Sequence, residues 1–149
     1  EDPLMARGAA FTTLRNHGRL RGCIGRLEAR EALWKTVVDT TIGAATRDFR
    51  FESVTASELD EISIKISVLS EPRPIQSWRD IEIGRHGIVM SKDGRASTFL
   101  PEVPVENHWT LEETLDRLAR KAGLPEQAWR EGATFEVFEA QVFGDADRA

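Results

Sequence analysis

The chain contains one cysteine, Cys23, and the charges around this thiol could give it a chemical role. If the segment is a strand, alternate side chains point to one face, which places Arg19, Arg21 and Cys23 together. Leu20 and Ile24 would then point to the opposite face. A neighbouring guanidinium favours the thiolate form of a cysteine, and the thiolate is the nucleophile. The pattern therefore predicts a site at Cys23, where Arg21 stabilises a thiolate or binds a small anionic ligand.

Two glycines, Gly22 and Gly25, bracket this thiol. Glycine inside a strand often marks a place where another group approaches the backbone closely, so both are candidate ligand-binding residues through their N–H groups. The alternative is that Cys23 is a small residue packed inside the protein, since free cysteines are among the most buried residue types. The sequence leaves both interpretations open.

Further candidates lie at two other points of the chain. His86 could act as a base toward a Cys23 thiolate, or it could only form a hydrogen bond in its loop. Arg47, Asp48 and Arg50 follow a predicted helix, where they could clamp an anionic ligand or simply complement the helix dipole. The histidines and the cysteine lack the spacing of metal ligands, and no nucleotide-binding or hydrolase motif is present. We therefore expect neither a metal nor a cofactor.

The elements that must position these residues are strands in hairpins, separated by helices. The predicted order is a hairpin over residues 10–24, a helix over 30–46, a strand over 62–68, a hairpin over 83–100, a helix over 111–122 and a strand over 135–142 with a bulge near 137. Strands in hairpins favour an α+β fold with a mainly antiparallel sheet. The stretch 71–78 is the best boundary between subdomains, and the prolines at 101 and 104 predict a loop.

The helical pattern over residues 30–46 is amphipathic. We expect its apolar side chains to face the core and its polar side chains to face solvent. The residues expected in the core are Leu33, Trp34, Val37, Val38, Ile42 and Ala45, and those expected in solvent are Lys35, Thr36, Asp39 and Thr40.

The composition is that of one globular domain over residues 1–149, with 40% hydrophobic and 30% charged residues. The formal net charge of −5 argues against bulk binding of nucleic acid. No apolar run approaches the roughly 20 residues that a membrane-spanning helix needs, so no membrane contact is expected. One cysteine forms no internal disulfide, which indicates a reducing, cytoplasmic location. Because the first residue is Glu1 rather than methionine, we expect a chain truncated at its N-terminus.

Six segments occur in this order: 20–25 (LRGCIG), 47–51 (RDFRF), 66–70 (ISVLS), 83–87 (IGRHG), 100–103 (LPEV) and 121–124 (KAGL). Together they resemble the AMMECR domain family, named for an Alport syndrome, midface hypoplasia and elliptocytosis chromosomal region. The similarity extends over about residues 11–143. Phe49 and Ser53 stand where the family usually has proline, which predicts a changed loop beside the site.

The resemblance implies an α+β fold with an antiparallel sheet, flanking helices and a smaller subdomain that leaves a cleft. It also implies possible partners, since the family occurs beside Memo-type and radical-SAM domains in prokaryotes. It implies no specific activity. An enzyme that uses Cys23 and a non-catalytic binding or scaffold module therefore both remain open.

Overall fold

The computed structural model describes residues 2–145, and the elements in this part of the chain confirm the α+β prediction. In chain order they are β1 (Ala9–Asn16), β2 (Arg19–Arg26), α1 (Leu33–Thr46), β3 (Ile62–Leu69), β4 (Arg73–Ile75), β5 (Gly87–Lys92), β6 (Arg95–Phe99), α2 (Glu102–Glu106), α3 (Leu111–Lys121), β7 (Thr134–Phe138) and β8 (Ala140–Gly144). Short 3-10 helices lie at Ala56–Glu61, Trp78–Asp80 and Ala128–Arg130. Among these described helices, none has the length and apolar composition needed to cross a bilayer.

The described chain divides into two compact units. The first contains residues 2–70 and 141–145, with a sheet ordered β2-β1-β3-β8. The second contains residues 71–140, with a sheet ordered β4-β7-β5-β6. The division falls at residue 71, where the predicted subdomain boundary begins.

The first unit begins with the predicted hairpin of β1 and β2, which pair antiparallel. The two residues between the strands, His17 and Gly18, have φ angles of 49° and 80°. Positive φ at both positions is typical of the tight turn whose twist matches that of paired strands. Beyond the turn, β2 has β1 on one side and forms an edge of the sheet.

A β-bulge at Arg21 changes the phase of β2, so the predicted common face of Arg19, Arg21 and Cys23 is wrong. Arg21 is the extra residue of the ladder and has no partner in β1. Beyond it, Leu20 pairs with Arg15, which is two residues along β1 from the partner of Cys23. Leu20 therefore shares a face of the sheet with Cys23, and Arg19 lies on the other face.

Helix α1 packs on the sheet with its small polar side, so the predicted core face is wrong for Trp34, Val38 and Ile42, although Ala45 packs against the core. The buried residues of α1 are Thr36, Thr40, Gly43 and Ala44, and its exposed large apolar residues are Trp34, Val38 and Ile42. Burial of the threonines is tolerated because their hydroxyls are hydrogen-bonded: Thr40 Oγ1 lies 3.0 Å from Thr12 Oγ1 and donates to the Thr36 carbonyl at 2.8 Å. Small side chains also let the helix approach closely, and a Cβ added to Gly22 would lie 2.0 Å from the Ala44 carbonyl oxygen.

The second unit holds an apolar core between its sheet and α3. Its buried members are Ile81, Ile88, Met90, Leu115, Leu118, Ala119, Trp129, Phe135 and Val137. Thr110 caps α3, because its Oγ1 accepts the N–H of Glu113 at 3.2 Å. Gly123 ends the helix with a φ of 79°.

Two predictions for the second half of the chain are wrong. Residues 102–106 form α2 rather than a loop, because Pro101 and Pro104 stand in the cap and first turn, where a missing N–H breaks no helical bond. The predicted bulged strand over 135–142 is two strands that belong to different sheets and are separated by Glu139. The change of apolar phase near residue 137 thus marks a change of sheet.

Candidate ligand site at the β1–β2 hairpin

Cys23 lies in the edge strand β2, opposite Thr13 of β1. Its sulfur is 3.4 Å from Thr13 Oγ1, and the residue is partly exposed. The preceding residue of β1, Thr12, contacts Thr40 of α1, so Thr13 and Cys23 project from the opposite face of the sheet. The thiol therefore lies on the side of the sheet away from α1.

Asp48 connects the backbone of Cys23 to the side chain of Arg50. Its Oδ2 accepts the N–H of Cys23 at 3.0 Å, a donor on the unpaired side of the edge strand. The guanidinium of Arg50 binds both oxygens of the same carboxylate, with Nε at 3.0 Å from Oδ1 and Nη2 at 2.7 Å from Oδ2. The backbone N–H of Arg50 also donates to Oδ1 at 3.2 Å. A buried carboxylate thus holds a cation beside the strand that carries the thiol.

The charges of this cluster reinforce one another. The side-chain hydrogen bond from Arg50 holds the pKa of Asp48 well below its usual range, and the N–H of Cys23 acts in the same direction. Burial acts in the opposite direction but is outweighed. The pKa of Arg50 is raised, first by its hydrogen bond to Asp48 and also by the charges of Asp48 and Cys23. The carboxylate and the guanidinium therefore stabilise each other's charged forms.

Arg21, the predicted partner of the thiol, is bound to the segment between α1 and β3. Its Nε and Nη2 donate to the two carboxylate oxygens of Glu58 at 3.0 and 3.2 Å. Its Nη1 and Nη2 also donate to the backbone carbonyls of Glu52 and Ser53. The hydrogen bond from Arg21 lowers the pKa of Glu58 to about 2, with help from the N–H of Thr55. All three nitrogens contact protein groups, so Arg21 holds this segment against β2, and its role toward a ligand stays a prediction.

The groups that approach the two glycines closely belong to the protein itself. Gly22 faces the Ala44 carbonyl of α1, as described above. A Cβ added to Gly25 would lie 2.1 Å from the ring of Phe11, its partner in β1. Both positions therefore require glycine for packing, and contact of their N–H groups with a ligand stays a prediction.

A pocket of about 380 Å³ begins at Gly25. It is lined by Phe11, Gly25, Arg26, Leu27, Glu28 and Arg30. The pair Phe11–Gly25 is two positions along the ladder from Thr13–Cys23, so the pocket opens on the same face of the sheet as the thiol. Arg30 is paired with Glu28 at 2.6 Å, which offsets part of the positive charge at this pocket.

Arg47 does not join the Asp48 cluster. Its Nη2 donates to the Asp39 carbonyl of α1 at 3.2 Å, and its backbone N–H donates to the Gly43 carbonyl. These contacts complete the C-terminal end of the helix, in agreement with the alternative considered from the sequence. A role of Arg47 in ligand binding stays a prediction.

His86 is buried in the second unit, where only 3% of the residue is exposed. Its Nδ1 accepts the N–H of Glu82 at 3.0 Å, so a neutral ring carries its hydrogen on Nε2. Within residues 2–145, Nε2 has no hydrogen-bond partner and lies 3.9 Å from Glu82 Oε2. Cys23 belongs to the first unit, and proton relay between His86 and Cys23 stays a prediction.

Two features of the first unit were missed in the sequence interpretation. Arg50 was considered only as one member of a charged cluster. An aspartate two residues before an arginine permits the bidentate pair that Asp48 and Arg50 form. The apolar side chains of α1 were assigned to the core, whereas Trp34, Val38 and Ile42 form an exposed stripe along the helix. Phe49, just beyond the helix, is 99% exposed.

With this geometry in place, comparison with known proteins gives the family. The sequence model of the AMMECR1 family matches residues 1–143. The chain belongs to the AMMECR1 family. Its similarity to a protein of Methanopyrus kandleri is 40% identity, covering 97% of this chain and 74% of that protein. A protein of Methanococcoides burtonii is 39% identical, over 92% of this chain and 71% of that protein.

The AMMECR1 fold is also found in a crystal structure, that of the uncharacterized protein PH0010 from Pyrococcus horikoshii. The two chains superpose with a TM-score of 0.90 at 32% identity, over 97% of this chain and 77% of that one. The resemblance drawn from the six sequence segments is therefore confirmed, in family and in fold.

Proposed function

We propose that the β1–β2 hairpin binds a small anionic ligand or substrate, with Cys23 as a reactive thiol. The observation that carries the proposal is the shared oxygen Asp48 Oδ2, which accepts both the N–H of Cys23 and Nη2 of Arg50. A positive charge beside a cysteine favours its thiolate and attracts anions to the same place. A purely packed cysteine needs no such neighbour.

The surroundings of the thiol support this proposal. Cys23 is partly exposed, so a small reagent or substrate has a path to the sulfur. The pocket at Gly25 has a volume in the range of small-molecule sites and opens on the same face of the sheet. The site therefore combines access, room and a nearby cation.

The rate of alkylation tests the proposal. Because Cys23 is the only cysteine, the mass gained with iodoacetamide at pH 7 reports on this residue alone. We expect the folded protein to react faster than the same protein unfolded in urea, since only folding places Arg50 beside the sulfur. Cys23→Ser is the blank, and slower alkylation in the folded state would support the packed, inert cysteine instead.

The predicted relay through His86 can be measured in the same assay. A base that removes the proton from the thiol would make His86→Gln react more slowly than the wild type at pH 7. His17→Gln is the matched control, because His17 lies in the exposed turn of the hairpin. Equal rates for both variants would remove His86 from the site.

A second candidate function is a binding or scaffold module without chemistry, and the exposed stripe on α1 favours it. Trp34, Val38 and Ile42 are spaced four residues apart, so they lie along one side of the helix. Exposed apolar side chains in a row are typical of surfaces that bind another protein. The partners to test are the Memo-type and radical-SAM proteins that the family resemblance implies.

Mixing purified partner with this protein and separating the complex by size tests that candidate. Val38→Asp would abolish the complex, because it places a charge in the middle of the stripe. Val105→Asp is the control, since Val105 is similarly exposed but lies in α2 of the second unit. A complex that survives Val38→Asp, or is never formed by the wild type, would contradict this function.

We also infer a reducing, cytoplasmic compartment, because a single reactive thiol has to stay reduced to act as a nucleophile. Fractionation of cells with an antibody against the protein tests this location. Recovery outside the cytoplasm would contradict it.

A further inference from the structure

The guanidinium of Arg50 uses only one of its two bidentate edges on the protein. The edge formed by Nε and Nη2 is occupied by the two oxygens of Asp48. The second edge, formed by Nη1 and the other hydrogen of Nη2, has no partner among residues 2–145. The side chain is 57% exposed, so this edge is accessible. A planar fork of two parallel N–H groups matches a carboxylate or a phosphate.

Arg50 is also held in place more firmly than an ordinary surface arginine. Three donors of the residue, the backbone N–H, Nε and Nη2, bind one buried carboxylate. The guanidinium carbon also lies over the ring of Phe51, 5.4 Å from the ring centroid. An arginine that is already ordered loses little conformational entropy when it binds a ligand.

The unoccupied edge lies near the backbone of the residue that carries the thiol. Nη2 of Arg50 and the backbone nitrogen of Cys23 both donate to Asp48 Oδ2, at 2.7 and 3.0 Å. Two atoms bound to one oxygen at these distances are less than about 6 Å apart. A ligand bound at this edge is therefore held beside Cys23.

We propose that Arg50 is the residue that recognises the oxyanion of the ligand, a carboxylate or a phosphate bound at its Nη1–Nη2 edge beside Cys23. The inference rests on the proposed function of the Cys23 site and adds the chemical class of its ligand. The alternative is that Arg50 only neutralises the buried charge of Asp48. That role uses the Nε–Nη2 edge alone and predicts no preference for anions at the thiol.

Two alkylating reagents of nearly the same shape separate these roles. Iodoacetate carries a carboxylate, and iodoacetamide carries a neutral amide. In both reactions the Cys23 sulfur forms a bond to the CH₂ carbon while the carbon–iodine bond breaks and iodide leaves. The quantity measured is the iodoacetate rate constant divided by the iodoacetamide rate constant, for the folded protein at pH 7 and low salt.

We expect Arg50→Gln to lower this ratio about fivefold, equivalent to about 1 kcal/mol, the upper value for an exposed ion pair. Arg50→Lys should lower it as well, because an ammonium keeps the charge but loses the fork. The matched control is Arg120→Gln, since Arg120 is also exposed and paired with a carboxylate, Glu126, but lies in the second unit. An unchanged ratio in Arg50→Gln overturns the inference, and full retention in Arg50→Lys overturns recognition by the fork.

A second measurement keeps the inference separate from thiol reactivity. In Cys23→Ser, titration with sodium acetate should shift the NMR signal of the Arg50 Nε–H in a saturable way, while the signal of Arg120 moves little. If Cys23 is unreactive but acetate still binds at Arg50, the thiol proposal fails and the anion site stands. If Cys23 reacts with iodoacetamide but neither the rate ratio nor the Arg50 signal responds, the anion inference is wrong. Thermal unfolding of Arg50→Gln and Arg50→Lys shows whether each variant is folded during these assays.

Discussion

Asp48→Asn tests the central contact of the site, because it keeps the shape of the side chain and removes its charge. Asp48 has only 5% of its side chain exposed and accepts four hydrogen bonds, two on each oxygen. An asparagine has one oxygen, and its NH₂ group would face donors that it cannot bond. Two donors therefore lose their acceptor: the N–H of Cys23 and Nη2 of Arg50 in one orientation of the amide, or the backbone N–H and Nε of Arg50 in the other.

The expected loss of stability is about 2 kcal/mol at pH 7. A hydrogen bond to a charged group contributes about 1.5–3 kcal/mol, and the exposure of Arg50 places this case toward the lower part of that range. For a chain of about 150 residues this corresponds to a fall in Tm of roughly 4–8 °C. Thermal unfolding followed by circular dichroism measures it, with Asp39→Asn of α1 as the control for removal of an acidic charge.

The same variant predicts how stability depends on pH. The pKa of Asp48 is lowered in the folded protein, so its contribution is fully present above its ordinary unfolded value near 3.9 and is lost as the pH falls toward the lowered value. The difference in stability between wild type and Asp48→Asn should therefore shrink between about pH 5 and pH 2. A difference below about 0.5 kcal/mol at pH 7, or one that stays constant down to pH 2, would refute this role of Asp48.

Three further predictions concern the elements that position the site. Gly22→Ala should destabilise the protein by about 3 kcal/mol or more, because its Cβ would overlap the Ala44 carbonyl and push α1 from the sheet. Gly18→Ala is the control, because its Cβ would meet no atom within 4 Å and only its φ of 80° should cost stability, about 1–2 kcal/mol. A urea midpoint of Gly22→Ala no lower than that of Gly18→Ala would show that the helix yields freely. Thr40→Val should lower the free energy of unfolding in urea by about 1–3 kcal/mol, because the buried Thr12 hydroxyl loses a hydrogen-bond partner. An unchanged free energy of unfolding would mean that Thr41, whose Oγ1 lies 3.1 Å from Thr12 Oγ1, replaces that partner. Trp34→Ser should leave stability within about 0.5 kcal/mol, since Trp34 is exposed, and a large loss of Tm would place it in the core instead.

Local sequence signals predicted the hairpin over residues 10–24 and the helix over 111–122, because the causes of these elements lie within a few residues. His17 and Gly18 adopt positive φ for reasons that belong to the turn itself, and Thr110 caps α3 through a residue three positions away. The strand predicted for the hexapeptide over residues 20–25 is also present, as part of β2. For such features the sequence contains the whole physical cause.

The face of α1 could not be predicted in this way, because it depends on contacts far along the chain. Thr36 and Thr40 can be buried because their hydroxyls form hydrogen bonds, Thr36 with the carbonyl of Gly8 and Thr40 with groups of α1 and β1. A hydrophobicity pattern counts both threonines as polar and therefore assigns them to solvent. Gly22 of β2 lets α1 approach the sheet so closely that no larger side chain fits between them. Periodicity identified the helix but gave it the wrong orientation.

The candidate site shows the same limit. Cys23 and Asp48 were singled out from the sequence, yet the guanidinium beside the thiol strand belongs to Arg50, while Arg21 bonds to Glu58. A bulge at Arg21, next to Gly22, separates this arginine from the alternation expected for Cys23. Which arginine accompanies the sulfur is therefore decided by tertiary structure.

The most direct test is a crystal structure of the protein after reaction with iodoacetate. The reactive-thiol proposal and the anion inference together predict a carboxymethyl group on the Cys23 sulfur, with its carboxylate bound to the Nη1–Nη2 edge of Arg50. An unmodified sulfur after exposure to excess reagent would contradict the reactive thiol. A carboxymethyl group whose carboxylate points into solvent, away from Arg50, would contradict the recognition of anions at this site.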